Sequence, residues 1–598
     1  MKRTKLFLEL IKKQRLKLLS LVIVTIFYVI TTLLQPLLLG LVIDNIINQD
    51  PITNAWLLRF TALLGGQSYI REHLWIGALI VMIIITFASI TVFIRSRLNG
   101  HISESVALNI KDKLFSHLMS LPYKYFVNSE SGDLIQRATS DIDILRRVFA
   151  GQISEFFYAL SIVSISLIIM HSINPQLMFV AALLLPFIFI FALFFFIRMQ
   201  KNFTEYDHAD AKLTHAISEN LAATRVIKAF NREVYESESF DKVNEQLKHR
   251  GIKMIDALSF YWGASDFLCF SSILLVIVNG VIMVINNSLT SGQLVVFVSF
   301  SGMMVWPLRH LGRIIADFGK VSVSLGRLVE VLEETPEDLV SGITPEIKGN
   351  IVLKDVKFHY DDDPKHVLNG INMEIKAGQT VAIIGTTGSG KSSLVHLLSS
   401  LYEYSEGEIL IDGVELKTYN RHYLRRNIAT VLQEPFLFSK TVKENIQITN
   451  YERTLEELMN ASRIARAEEF IENFELGYET MVGERGTTLS GGQRQRVAIA
   501  RSVITEAPII IFDDSLSAVD TQTDKEIRSK LSTIKGLATT IIITQRISSS
   551  QDADMIFVLD AGRVSDVGVH DELISKPGLY QRIYNVQTKM IEGDSHGK

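Results

Sequence analysis

Cysteine is nearly missing from this sequence: Cys269 is the one residue of its kind among 598. A lone thiol closes no disulfide within the chain, and a cysteine-based metal site is excluded with it. Charge is scarce too. Asp, Glu, Lys and Arg make up 21% of the residues and the formal net charge is -4, without the basic excess of a general nucleic-acid binder, so no nucleic-acid partner is expected. Apolar residues take the vacated share, at 48% of the chain with a mean hydropathy of +0.24. That balance excludes a disordered chain and an ordinary soluble protein. At roughly 100–200 residues per domain, the length leaves room for a membrane part and a soluble part, each with its own core.

Apolar runs near the spanning length of about 20 residues occur at Leu18–Ile43, Leu74–Ile94, Val148–Ile173, Leu177–Ile197, Phe260–Ile285 and Leu294–Leu311. Six crossings are predicted. Lys2, Arg3, Lys5, Lys12, Lys13, Arg15 and Lys17 precede the first, opposed only by Glu9, which places the N-terminus in the cytosol, and an even number of crossings returns the C-terminus there. The first run is too long for a signal-peptide core and reads as an anchor. The connections after the second and fourth spans are long, with charges at helical spacing, and predict helical hairpins that extend into the cytosol. Turns are expected around Pro122 and Asn128–Gly132 in one and at Lys228–Tyr235 in the other. Periodicity alone leaves open whether these hairpins are simply solvated or serve as docking surfaces.

Hydrophobicity falls after Lys320, and Glu333–Gly349 has the acidic, proline-containing composition of a linker. The expected division is a membrane domain over 1–325, a linker over 326–349 and a soluble domain over 350–598. From about Asn350, short β-branched runs alternate with helical stretches: Val381–Ile384 before a helix from Lys391, Ile509–Phe512 before one from about Thr523, and Thr540–Thr544 afterwards. This is the pattern of an α/β domain with a largely parallel sheet.

Gly385-Thr386-Thr387-Gly388-Ser389-Gly390-Lys391-Ser392 fits the G-x-x-x-x-G-K-[ST] phosphate loop and lies between a strand and a helix, as that motif requires. Glycines allow close phosphate approach, backbone N–H groups supply partial positive charge, Lys391 neutralises phosphate and Ser392 can ligate Mg²⁺. Ile509-Ile510-Ile511-Phe512-Asp513 is a buried-strand pattern ending in a carboxylate suited to Mg²⁺, and Asp514 stands where a base for attacking water would sit. Leu489-Ser490-Gly491-Gly492-Gln493, then Arg494-Gln495-Arg496, reads as an anion-binding helix start.

With Gln433 between these motifs and Ser517-Ala518-Val519-Asp520 after the acidic strand, Asn350–Lys598 resembles the nucleotide-binding domain of ATP-binding cassette transporters. The membrane half resembles the exporter branch of that family, with six spans ahead of the cassette and the run Trp306-Pro307-Leu308-Arg309-His310-Leu311 in the last span. The resemblance implies six transmembrane helices fused to a cytosolic α/β P-loop ATPase cassette, and a half-transporter in the cell membrane that works as a dimer. Two ATP·Mg²⁺ are implied between its cassettes. It further implies that Tyr360 stacks on adenine, that Ser393 joins the phosphate loop at the nucleotide, and that Gln433 senses Mg²⁺ and water while contacting the membrane half. Val482–Gly486 is the segment implied to touch the partner's hairpins.

Two positions depart from the family pattern. Asp514 replaces the usual Glu, shorter by one methylene, and Gln545, in Thr544-Gln545-Arg546, replaces a switch His and carries no proton that exchanges near neutral pH. The implied role is the degenerate-site member of a heterodimer, lending Ser490–Gln493 to a homologous half-transporter that has Glu and His at these positions. Its cargo would be hydrophobic or amphipathic. A slow homodimer exporting lipid or peptide, and an ATP-gated regulatory or channel-like subunit, are alternatives compatible with the residues. Within the spans, Asp266 is the candidate for a cavity-facing acid favouring cationic cargo. Arg309–Asp317 is expected on a helix continuing below the bilayer.

Overall fold

A computed structural model describes residues 2–48, 50–51, 59, 61–63, 66–360, 365–515, 519–532 and 538–595. The chain forms two compact units: Met1–Ser120 with Ser129–Thr335, and Leu121–Asn128 with Pro336–Lys598.

Six helices among the described residues of the first unit are long and apolar enough to cross a membrane: α1 Arg3–Ile47, α2 Trp75–Ser120, α3 Ser131–Ile173, α4 Pro175–Ala222, α5 Glu233–Ile285 and α6 Ser291–Glu333. Each covers one of the apolar runs read from sequence, the second all but Leu74, and extends beyond it. α6 carries the helix through 326–333, so the first part of the expected linker is helical. The turns fall as expected. A short helix, Tyr123–Asn128, sits between α2 and α3, and the chain reverses at Phe230–Arg232, between Thr224–Ala229 and α5.

Valines, leucines and phenylalanines such as Val29, Leu33, Phe297 and Phe300 form the buried centre of this unit. At one end, α6 begins on a capping box in which Thr290 and Gln293 exchange hydrogen bonds between side chain and backbone. The carboxylate of Asp44 reinforces it, accepting from Gly292 N–H at 2.7 Å and from Thr290 Oγ1 at 2.5 Å. An anion here offsets the helix N-terminal dipole. Close approach demands glycine, since a Cβ on Gly292 would lie 2.1 Å from the carbonyl oxygen of Gly40.

The second unit has two sheets. β1 Ile351–Phe358, β2 Leu368–Ile375, β4 Glu406–Ile411 and β5 Val414–Glu415 form an antiparallel sheet in the order β2-β1-β4-β5. β3 Thr380–Gly385, β6 Ile428–Val431, β7 Ile509–Asp513, β8 Thr539–Thr544, β9 Met555–Asp560 and β10 Arg563–Gly568 form the other, in the order β10-β9-β3-β8-β7-β6. All of its pairings are parallel except β9 with β10. Val381, Ile383, Ile509, Ile511, Ile541 and Ile543 face one core. Their neighbours Ile510, Phe512 and Ile542 face a second, and Ala382 and Ile384 a third. Burial on both faces is why these strands read as continuous apolar runs rather than as alternation.

Candidate functional site

β3, β8, β7 and β6 are consecutive neighbours in the six-stranded sheet, and each ends at a residue singled out above. The phosphate loop follows β3, Gln545 follows β8, Asp513 closes β7 with Asp514 next, and Gln433 lies two residues beyond β6. The carboxyl edge of a parallel sheet is where open α/β folds bind ligands. Segments separated by up to 160 residues of sequence thus meet along one edge because the strand order is not the chain order.

The loop is built for a polyanion. Gly388 and Gly390 take φ of +81° and +99°, a left-handed backbone that residues with a Cβ rarely adopt. A Cβ on Gly385 would fall 2.3 Å from the Leu559 carbonyl oxygen, whereas Gly388 faces open space. The loop hands over to the helix Lys391–Leu398. Lys391, 8% exposed, curls its Nζ onto the carbonyls of Gly385 at 2.9 Å and Thr386 at 2.8 Å, with Ser389 Oγ at 3.5 Å. Burial pulls its pKa below the ordinary lysine value, and the charges of Asp514 and Asp513 oppose that shift. A phosphate would supply the desolvated ammonium with a counter-charge.

Ser392 Oγ lies 3.4 Å from Asp513 Oδ1, the hydroxyl and carboxylate pair that a phosphate-loop Mg²⁺ site uses. Burial raises the pKa of Asp513, with Ser392 and Lys391 acting against it. Among the described residues no group of three or more His, Cys, Asp or Glu could hold a metal unaided. Ser392 and Asp513 would hold a hard cation there, with phosphate and water oxygens able to fill its other positions. Bound there, ATP·Mg²⁺ supplies the transferable γ-phosphoryl group, and these residues fit it.

Asp514 adopts φ +43°, and its backbone N–H donates to Ile543 at 2.8 Å. Its half-buried carboxylate accepts from the backbone N–H of Gln545; burial first, then Asp513, push its pKa up. The Gln545 side chain is exposed, while its carbonyl accepts from Gln587 Nε2 at 2.7 Å. Gln433 is exposed as well.

Ser490 caps the helix Gly491–Val503 in a capping box, its N–H donating to Gln493 Oε1 at 2.8 Å and its Oγ accepting from Gln493 N–H at 3.3 Å. Ser490 and Gly491 are exposed, Gly492 and Gln493 partly so. The loop thus reaches the surface at the start of that helix. Behind it Arg494 Nη1 donates to the Gly486 and Leu489 carbonyls, which ties the signature to Val482–Gly486, where Arg485 takes φ +53°. Ser517 and Ala518 lie outside the described residues. Asp520 caps the helix Thr521–Ser532 through Thr523 N–H at 2.9 Å.

Tyr360 is half-buried, its hydroxyl 3.0 Å from Ser393 Oγ on the phosphate-loop helix. Its ring meets Tyr402 edge-on at 5.2 Å. Tyr402 in turn packs on Tyr123 at 5.8 Å and on His396 at 5.8 Å. Sequence reasoning passed over Tyr123, His396 and Tyr402. The available signal was the aromatic at the tip of the first hairpin, Tyr123, but its partners are some 270 residues away.

In the membrane unit Asp266 has a partner: Arg309 Nη1 donates to its Oδ1 at 2.6 Å, while the Asp266 side chain stays 51% exposed.

A six-helix membrane unit, a P-loop sheet and an exposed, capped second anion-binding loop define an ATP-driven membrane transporter. Residues 18–308 match the ABC transporter transmembrane region and residues 368–517 the ABC transporter domain. The chain is 32% identical over 565 residues to the ABC transporter ATP-binding protein YknU of Bacillus subtilis, itself uncharacterized, covering 94% of this chain and 93% of that one. It is 32% identical over 593 residues to a Staphylococcus aureus chain provisionally named a multidrug export ATP-binding/permease protein, covering 98% and 99%. In fold it matches a bacterial Atm1-family ABC exporter with ATP bound, with a TM-score of 0.81 at 23% identity over 96% of this chain and 99% of that one. The chain belongs to the ABC transporter family. It is a multi-pass membrane ATPase of exporter architecture whose cofactors are ATP and Mg²⁺, and exporters of this family act as dimers in a lipid bilayer.

Proposed function

We propose that this chain is one half of a heterodimeric exporter that expels hydrophobic or amphipathic compounds, with both termini in the cytosol. In this reading ATP binding closes the two cassettes. Hydrolysis at the partner's site, completed by Ser490–Gln493 of this chain, resets them. The site on this chain's own phosphate loop binds ATP·Mg²⁺ and turns it over poorly. The observation that carries the reading is Asp514, one methylene shorter than the usual Glu beside the acidic strand end, together with Gln545 in place of the switch His. Losing a positioned general base costs about 10²–10⁴-fold in rate. A homodimer with two such sites would keep intact signature loops with no competent site to serve. The multidrug naming of the Staphylococcus aureus relative supports the class of cargo.

Two substitutions in the assembled pair test this. Lys391→Ala weakens phosphate binding at the degenerate site only and should lower ATPase partially. Ser490→Arg breaks the capping box and aims bulk at the γ-phosphate of the competent site, where a lost donor alone costs about 10²–10³-fold. Equal and complete loss in both variants would mean two equivalent sites and would overturn the heterodimer.

A further inference from the structure

Arg309, in α6, is a buried guanidinium that the protein satisfies only in part. Its side chain is 7% exposed. One nitrogen holds Asp266 at 2.6 Å, and the plane lies 4.6 Å from the centre of the Trp262 ring. Nε and Nη2 are buried without a hydrogen-bond partner. Close by, the Tyr261 hydroxyl and Ser265 Oγ are in the same condition, as is His310 Nε2. Tyr261 is near enough to the guanidinium to interact with it, yet no well-formed hydrogen bond joins them. A guanidinium has five donors and no acceptor, so Nε and Nη2 lack a well-placed acceptor, and an anionic one serves best.

The cluster opens on a cavity of about 300 Å³ between α4, α5 and α6. Phe196, Phe203, Tyr261 and Trp262 give it aromatic walls, and Arg313 and Lys320 add positive charge at its rim. Of the two acids at hand, Asp266 is held by Arg309. Asp317 is engaged by Gln152 Nε2 at 3.0 Å and by Lys320 at 3.5 Å. Three cations against two acids leave a positive balance at the mouth of an aromatic cavity.

We infer that this cavity binds the anionic head of an amphipathic molecule, a carboxylate or phosphate on Nε and Nη2 of Arg309, with its apolar part against the aromatic walls. The site deepens the export reading, on which it rests only for the role of its ligand as cargo. Such a head belongs to a free organic anion or to an anionic lipid, and both present the same oxygens.

The test is equilibrium binding of dansyl-undecanoic acid to the full chain in phosphatidylcholine vesicles without nucleotide, beside an uncharged ester and a primary amine of the same length. The acid should bind best. Arg309→Gln should weaken it by roughly 10-fold or more, the effect of losing charge-assisted hydrogen bonds. Asp266→Asn, which frees the third nitrogen and removes the opposing charge, should tighten it. That gain keeps the inference testable should Arg309→Gln fail to fold. Equal binding of acid and amine, unchanged affinity in Arg309→Gln, or weaker acid binding in Asp266→Asn would overturn it. Repeating the titration with part of the lipid replaced by phosphatidylglycerol separates the sources: competition marks a lipid headgroup, and its absence a free anion. ATP-driven uptake of the same acid into inside-out vesicles is read separately. Arg309-dependent binding without uptake defeats the export reading alone, and uptake indifferent to Arg309 defeats the site alone.

Discussion

Restoring the two departures from the family pattern should turn the chain into an ATPase that works by itself. Asp514→Glu adds one methylene, about 1.5 Å of reach, toward the place a base for the attacking water would take. Gln545→His alters only a solvent-exposed side chain and keeps the backbone carbonyl that accepts from Gln587. If the missing base accounts for the expected deficit of about 10²–10⁴-fold, the barrier should fall by roughly 3–5 kcal/mol. One cost opposes this. Residue 514 sits at φ +43°, where Asp is better tolerated than Glu, and the penalty of up to about 1–2 kcal/mol falls on folding rather than on the barrier. The assay is steady-state phosphate release by the purified single chain at saturating ATP and Mg²⁺. The double variant should gain at least tenfold over the parent and over either single variant. An unchanged rate in a double variant that still binds ATP would refute the argument, as would a parent already turning over at about 1–100 s⁻¹.

Two further outcomes follow from buried charges in the cassette. Burial raises the pKa of Asp513, so its ionisation opposes folding of the nucleotide-free protein: the stabilising contribution is full at low pH and is lost as pH rises through the folded pKa, above the ordinary 3.8. Asp513→Asn should therefore raise the melting temperature of the nucleotide-free form by about 2–4 °C for each kcal/mol relieved, while abolishing the Mg²⁺ dependence of ATP binding; a fall in melting temperature would contradict this. Glu337, 6% exposed, accepts from Arg425 at 2.6 and 2.9 Å and from Arg421 at 3.0 Å. Burial alone would raise its pKa, but the two guanidiniums bring it below the usual glutamate value, so this contribution is present above about pH 4.5 and lost as pH falls through the lowered pKa. Glu337→Gln should cost about 2 kcal/mol at neutral pH and flatten acid denaturation in that range, as a pH series of melting curves would reveal.

The phosphate loop, the acidic strand end and the signature pentapeptide were legible in the chain because each is local: a strand, a few glycines and a helix start lie within about ten residues, and backbone geometry does the rest. The six spans were legible for a similar reason, since crossing a bilayer demands an uninterrupted apolar run. Only packing shows that β8 separates β3 from β7, and so brings Gln545 beside Asp514 and the loop. Hydrogen-bond register between strands far apart in sequence leaves no trace in either strand alone. The same limit hid the aromatic contacts from Tyr123 through Tyr402 to Tyr360. It also hid the partner of Asp266, which is Arg309: periodicity puts a residue on a helix face, but the neighbouring helix decides what charge it meets there.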